Sequence, residues 1–216
     1  KDNFYIYNGS IQSLPCTVRA YVFEDINDRQ EFKIFAARNA QFNEIMWFYC
    51  SSSSDEIDRY VIYNYLENNW SIGQLSRTSW DDSGTSSVTP ISTSSNYIYN
   101  HEVGYDDDGS AMSAYVESAD FDIEDGNNFA FINRIIPDIL FTGSASNPIV
   151  TYTLKTRSSG SGSLVSQSTA SVGPTTENSD VRARGRQMRV RIENSDASNG
   201  WRLGDVRFDI RQDGRR

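Results

Sequence analysis

A chain of 216 residues with 20 Lys and Arg against 29 Asp and Glu carries a net charge of −9 and is long enough to bury one large or two small cores. That acidic balance excludes a general nucleic-acid binder, whose domains are normally basic. No apolar run approaches the length of a membrane-spanning helix.

The opening residues, KDNFYIYNGS, form neither a signal peptide nor a targeting helix and pass straight into an aromatic strand pattern. They lead us to expect the carboxy-terminal part of a longer protein, or a processed product. Strand signals follow along the chain. EIMWFYC (44–50), RYVIYNYL (59–66), NYIYN (96–100), AMSAYVES (111–118) and PIVTYTLKTR (148–157) are rich in β-branched and aromatic residues. The clusters SSSSDEID, LENNW, WDDSG, YDDDGS and IEDGNN separate them as turns. No helical period lasts three turns, and RQEFKIFAARNA (29–40) fits a strand and turn at least as well as a helix. The expected class is all-β with few or no helices.

In EIMWFYC, Met46, Phe48 and Cys50 share one face while Ile45, Trp47 and Tyr49 share the other. Both faces are apolar, so the strand should be covered on both sides. Tyr5-Ile6-Tyr7-Asn8, Val61-Ile62-Tyr63-Asn64 and Tyr97-Ile98-Tyr99-Asn100 echo one another at unequal spacing. Propeller blades with variable loops would tolerate that spacing, and so would mere compositional likeness. The organisation expected is propeller-like antiparallel blades over 1–126, part of a larger propeller if more blades lie upstream. Over 127–216 we expect a terminal blade or a small sandwich-like module with a C-terminal β-hairpin. The Ser/Gly-rich tract SSGSGSLVSQSTASVG reads as a mobile loop at 158–173.

Charge is distributed unevenly. From Val181 to Arg216 there are ten arginines (182, 184, 186, 189, 191, 202, 207, 211, 215 and 216) and five acids, so this stretch carries +5 while the other 180 residues carry −14. Within VRARGRQMRVRI, Arg182, Arg184 and Arg186 have even parity, whereas Arg189 and Arg191 have odd parity. The apolar set flips with them, from Val181 and Ala183 to Met188, Val190 and Ile192. Such a switch predicts a bulge or bend at Gly185–Gln187. Pairing with the last strand as a hairpin would set Arg189 and Arg191 near Asp205 and Arg207. Three readings of the run compete: local pairing, contact with a nucleic-acid backbone, and docking on acidic protein surface of this chain or of a neighbouring copy. Docking is preferred, through Arg182, Arg184, Arg186, Arg189, Arg191, Arg207 and Arg211.

Other candidate sites are weaker. Asp106-Asp107-Asp108-Gly109 and the run from Asp120 to Gly126 miss the calcium-loop spacing and read as solvated turns. His101 stands beside Glu102 without a nucleophile or a second histidine, which favours a structural or interface role. Cys16 and Cys50 read as free thiols, a disulfide remaining open. No phosphate loop, dinucleotide fingerprint, zinc spacing or nucleophile elbow occurs. We therefore expect no enzyme, no cofactor, no metal and no small-molecule substrate.

NEIMWFY, DRYVIYNY, RGRQMRVRI and WRLGDVRFDIR, with the pieces around them, resemble the tail-hub proteins of short-tailed bacteriophages, also called packaged-DNA-stabilisation or tail-nozzle proteins. The resemblance spans nearly the whole chain and falls in the family's carboxy-terminal portion. It implies a virion structural protein, made in the host cytoplasm, with propeller-like architecture. Such a protein forms a homo-oligomeric ring, expected as a hexamer, below portal and adaptor. The ring retains packaged DNA, conducts it at ejection without sequence specificity, and carries needle or fibre proteins. The alternative is a propeller-type carbohydrate-binding protein or glycan hydrolase, suggested by the many Tyr, Trp and Asp residues.

Overall fold

The computed structural model describes residues 3–84, 87–123 and 126–214. The class is all-β, and the chain divides into two compact units, Lys1–Val103 and Gly104–Arg216.

In the first unit β1 (Phe4–Tyr7) and β2 (Ile11–Leu14) form a hairpin, followed by the short helix α1 (Arg19–Asp25) and a 3-10 turn over Asp28–Lys33. Next comes a four-stranded antiparallel meander of β3 (Phe35–Asn39), β4 (Glu44–Tyr49), β5 (Arg59–Asn64) and β6 (Asn69–Gln74). A three-stranded meander, β7 (Ser79–Asp81), β8 (Ile91–Ser94) and β9 (Tyr97–Asn100), completes the unit. Among the described residues, blade-like repetition goes no further than these two meanders.

The two-faced strand reads as expected. Met46, Phe48 and Cys50 pack with Phe35, Tyr60 and Trp80, while Tyr49 and Val61 pack with Val22 of α1, Phe4, Trp47 and Trp70. The helix was not foreseen. Its seven residues bury Val22 alone, too little for a periodic signal, and it forms where Val22 meets Tyr49 and Val61. The YIYN echo dissolves in three dimensions. Val61 and Tyr63 are buried in the central strand β5, whereas Tyr5, Tyr7, Tyr97 and Ile98 are exposed on β1 and β9.

The second unit contains β10 (Ala114–Glu117), β11 (Phe121–Asp122), β12 (Ala130–Ile136), β13 (Ile139–Phe141), β14 (Val150–Arg157), β15 (Val165–Val172), β16 (Ser179–Gly185), β17 (Gln187–Asn194), β18 (Trp201–Leu203) and β19 (Arg207–Gln212). One sheet runs β10-β17-β14-β15, with β11 also on β17; a second runs β16-β12-β19; β13 pairs β18. Ile132, Ile135, Val181 and Ala183 of the second sheet share one core with Tyr152, Leu154, Val190 and Ile192 of the first, as in a β-sandwich. Each of the Val, Leu and Ile side chains among them contributes about 1.5–3 kcal/mol by leaving water.

Three expectations need correction. Residues 104–126, grouped with the amino-terminal blades, lie in the second unit, where β10 and β11 pair with β17. The tract at 158–173 is not a loop throughout. A turn closes at Ser159–Gly162, and Val165–Val172 then pairs along β14 with Ala170 and Val172 facing the core. Ser166, Thr169 and Ser171 occupy exposed positions of an outer strand and the half-buried Ser168 stands where an apolar residue would mark the alternation. Finally, the carboxy-terminal hairpin does not form. β17 lies between β10 and β14, while β19 pairs β12 in the other sheet.

Candidate functional site

The arginine run turns a corner between the two sheets. β16 ends at Gly185 and β17 begins at Gln187, so the chain leaves one sheet and enters the other at Arg186. This exchange explains the parity switch. Val181 and Ala183 point into the core from one side, Met188, Val190 and Ile192 from the other, and the arginines stay outside in both strands. The corner is tight. A Cβ on Gly185 would stand 2.6 Å from the Thr156 side chain and 3.1 Å from the Arg157 carbonyl. It is also tied down, since Arg186 N–H donates to the Arg157 carbonyl at 3.0 Å and Thr156 Oγ1 donates to the Arg184 carbonyl at 3.1 Å.

On the outer face of the larger sheet, cations and carboxylates interleave. Glu117 accepts from Lys155 Nζ at 2.8 Å, Arg189 Nη1 at 2.9 Å and Arg191 Nη1 at 3.4 Å. Asp120 takes Arg189 Nε at 2.8 Å and Arg157 Nη2 at 2.6 Å, and Glu193 takes Arg191 Nε at 2.7 Å. The Arg191 guanidinium also lies 3.8 Å above the Tyr115 ring. Strand register makes this possible: Glu117 stands opposite Arg191, and Arg189 opposite Lys155. Burial alone would raise the Glu117 carboxyl, but hydrogen bonds from Lys155, Arg189 and Arg191 outweigh it and hold the group at about 2. Asp120 and Glu117 in turn raise the Arg189 guanidinium above its ordinary value.

The other arginines spread over the second sheet. Arg184 pairs with Asp213 and covers the Phe129 ring at 4.2 Å. Arg186 lies 5.3 Å from the same ring, beside an open hollow lined by Asp122, Ser158 and Gln187. Arg207 meets Asp138 at 3.5 Å on the surface, and Arg211 lies 4.8 Å above Phe131. Arg182 is exposed, and its backbone N–H bonds Ser168 Oγ at 3.3 Å. Arg215 and Arg216 lie outside the described residues. The seven candidates thus divide between two outer faces. Among the described residues Arg184, Arg189, Arg191 and Arg207 meet carboxylates of their own unit.

The charge of the run is accordingly answered nearby. Residues 104–216 hold 13 basic and 16 acidic side chains, −3, while residues 1–103 hold seven and 13, −6. Asp205, the carboxylate expected near Arg189 and Arg191, takes no part with either, and neither does Asp209. Asp209 accepts from Asn133 instead, and Asp205 N–H donates to Asp138. Sequence reasoning missed Lys155, Arg157, Glu117 and Asp120. The Lys-x-Arg ending of β14 was the signal available, since period two places both side chains on one face.

The weaker candidates resolve into turns and packing. Asp107 and Ser110 exchange backbone hydrogen bonds at 2.8 and 2.9 Å around Asp108 and Gly109, whose φ of 50° and 81° make a two-residue hairpin turn. In the second acidic run Asp120 is an arginine partner, while Glu124 and Asp125 lie outside the described residues. His101 accepts from Arg77 Nε at 2.9 Å, contacts Ser92 Oγ at 2.6 Å and packs on Trp80, a structural arrangement. Cys16 and Cys50 are free thiols; burial raises both.

No family model matches the chain, and a search of curated proteins returns no match.

Proposed function

We propose that the chain is an assembly component of a bacteriophage tail hub, built to hold further protein subunits rather than to carry out chemistry. The observation that carries this reading is the hairpin β1–β2. A free-standing two-stranded hairpin is marginal in water, and this one buries only part of itself, with the Phe4 ring packed at a tilt against Trp47 and Trp70, centroids 5.0 and 4.7 Å away. Tyr5, Tyr7 and Ile11 stay exposed, Tyr7 and Ile11 each at 75 %. Exposed tyrosines beside aliphatics are the composition of protein–protein contacts. The four-stranded meander is the unit that a ring of blades would repeat. The resemblance of RGRQMRVRI and WRLGDVRFDIR to tail-hub proteins supplies the setting: a homo-oligomeric ring in the virion that conducts DNA and carries distal tail parts.

Negative-stain electron microscopy with native mass measurement of the full chain tests this. Rings or discrete oligomers are expected, and Tyr7→Asp with Ile11→Asp should disperse them into monomers that keep the circular-dichroism signature of a folded all-β chain. A monomer that binds immobilised glycans would overturn the reading in favour of carbohydrate recognition.

A further inference from the structure

The dipeptide Asn-Gly occurs twice in the chain, at Asn8-Gly9 and Asn199-Gly200, and the two copies lie in opposite surroundings. Glycine has no Cβ to shield its N–H, so the amide of a preceding asparagine can reach that nitrogen. Asn8 and Gly9 stand at the tip of the β1–β2 hairpin, beyond the closing pair Tyr7 and Ile11, and both are exposed. Gly9 has a φ of 102°, and a Cβ added there would meet nothing within 4 Å, so the tip is open to water. The Asn8 backbone N–H donates to the Ser10 carbonyl at 3.3 Å. The Asn8 side-chain amide and the Gly9 N–H have no hydrogen-bond partner among the described residues. Asn199, by contrast, is tied down. It is 8 % exposed, and its Nδ2 donates to the Ile149 carbonyl at 2.9 Å. The Gly200 nitrogen lies against Gly143, where an added Cβ would stand 2.4 Å from it, and the Gly200 carbonyl accepts from the Thr142 and Gly143 amides at 2.8 and 3.3 Å. A side chain held in this way reaches the next nitrogen only if its segment opens.

We propose that Asn8 is a self-modification site, at which the hairpin tip converts its own asparagine to aspartate and isoaspartate in water. The Gly9 nitrogen gives its proton to hydroxide and attacks Asn8 Cγ. The N–Cγ bond forms, the Cγ–Nδ2 bond breaks, and the departing nitrogen takes a proton from water to leave as ammonia, which restores the hydroxide. A second water then opens the five-membered imide at either carbonyl. Opening at one carbonyl gives aspartate, and opening at the other gives isoaspartate, whose main chain is longer by one methylene. Overall an amide and water become a carboxylate and ammonium, and nothing is oxidised or reduced. Either product sets a negative charge beside Tyr7, which with Ile11 is 75 % exposed. A charge placed in a contact without a partner weakens it, so converted chains should assemble less well. That consequence rests on the assembly reading of the hairpin, whereas the conversion itself does not.

Peptide mapping by mass spectrometry, after incubation of the full chain at neutral and alkaline pH, tests the proposal by following the replacement of NH₂ by OH at each asparagine. In the folded protein Asn8 should convert at least about tenfold faster than Asn199, because Asn199 reacts only through local opening. In concentrated urea the two rates should come together, since the dipeptide is the same. Conversion at Asn8 should quicken as pH rises, because the attacking nitrogen must lose its proton. Equal rates at the two asparagines in the folded protein, an Asn8 rate indifferent to pH, or a gap that persists in urea would each overturn the site. Asn8→Asp carries the charge of the product and should weaken the oligomers in the same direction as ageing does. Oligomers untouched by Asn8→Asp and by ageing would overturn the link to assembly. A chain that converts at Asn8 but never forms oligomers would support the site and count against the assembly reading.

Discussion

Arg189 donates to Glu117 at 2.9 Å across 72 residues of sequence, joining the middle of the arginine run to the end of β10. The same carboxylate is held by Lys155 and Arg191, so one glutamate from a short outer strand fastens the two strands at the centre of the sheet. The run that looks like a docking surface in sequence is, on this face, a fastening within the fold.

Glu117 should make stability depend on acid. Its folded value of about 2 lies below the ordinary 4.5. A depressed carboxyl contributes stability that is fully present above the unfolded value and is lost as pH falls through the folded one. Wild type should therefore lose this contribution between pH 4.5 and 2. Glu117→Gln, which lacks it throughout, should be less stable by about 2 kcal/mol at pH 7 and converge on wild type near pH 2. Urea unfolding across that range measures the difference. A constant gap between the two proteins would refute the assignment.

The arginines should be unequal. Arg191 has two carboxylates and a ring, whereas Arg182 stands exposed. Arg191→Gln should cost about 1–3 kcal/mol, and Arg182→Gln should stay within about 0.5 kcal/mol of wild type. Denaturant midpoints of the two variants decide it, and equal losses would contradict the ladder.

The corner glycine was visible as punctuation in the sequence, but its reason lies in packing. Gly185→Ala would drive a methyl group against Thr156 and two backbone carbonyls. It should destabilise by about 1–3 kcal/mol through overpacking. A neutral substitution in thermal unfolding would show that the corner relaxes freely.

Tyr152 provides the opposite sign. It is 1 % exposed in the sandwich core, its hydroxyl has no hydrogen-bond partner among the described residues, and burial followed by the charge of Asp138 pushes it up to about 12. An unsatisfied buried hydroxyl costs free energy, so Tyr152→Phe should leave stability unchanged or raise it by about 1 kcal/mol. A clear loss of stability on urea titration would mean that the hydroxyl is satisfied.

What could be read from residues alone follows a pattern. The two apolar faces of β4 and the break at Gly185–Gln187 were legible because strand parity is local, and each face or flip is written in consecutive residues. The strand Val165–Val172 was not, because Ser and Thr hold most of its exposed positions, Ser168 is only half-buried, and Ala170 and Val172 alone are buried. The Glu117 cluster was illegible for another reason. Its members are separated by up to 74 residues and meet only through strand order. Nothing in VESADFD marks Glu117 as a hub.

The central claim is that the arginine run serves the fold and not a nucleic-acid backbone, and salt-dependent DNA binding of the intact protein tests it most directly. Anisotropy of a labelled duplex should show no binding at about 50 mM salt, because the unit carrying the run is −3 overall and Arg189 and Arg191 are already paired. In the same preparation Arg189→Gln with Arg191→Gln should lower the melting temperature by several degrees. Micromolar binding whose affinity falls steeply with salt, and which disappears in that double variant while its melting temperature holds, would contradict the claim and make the run a DNA contact.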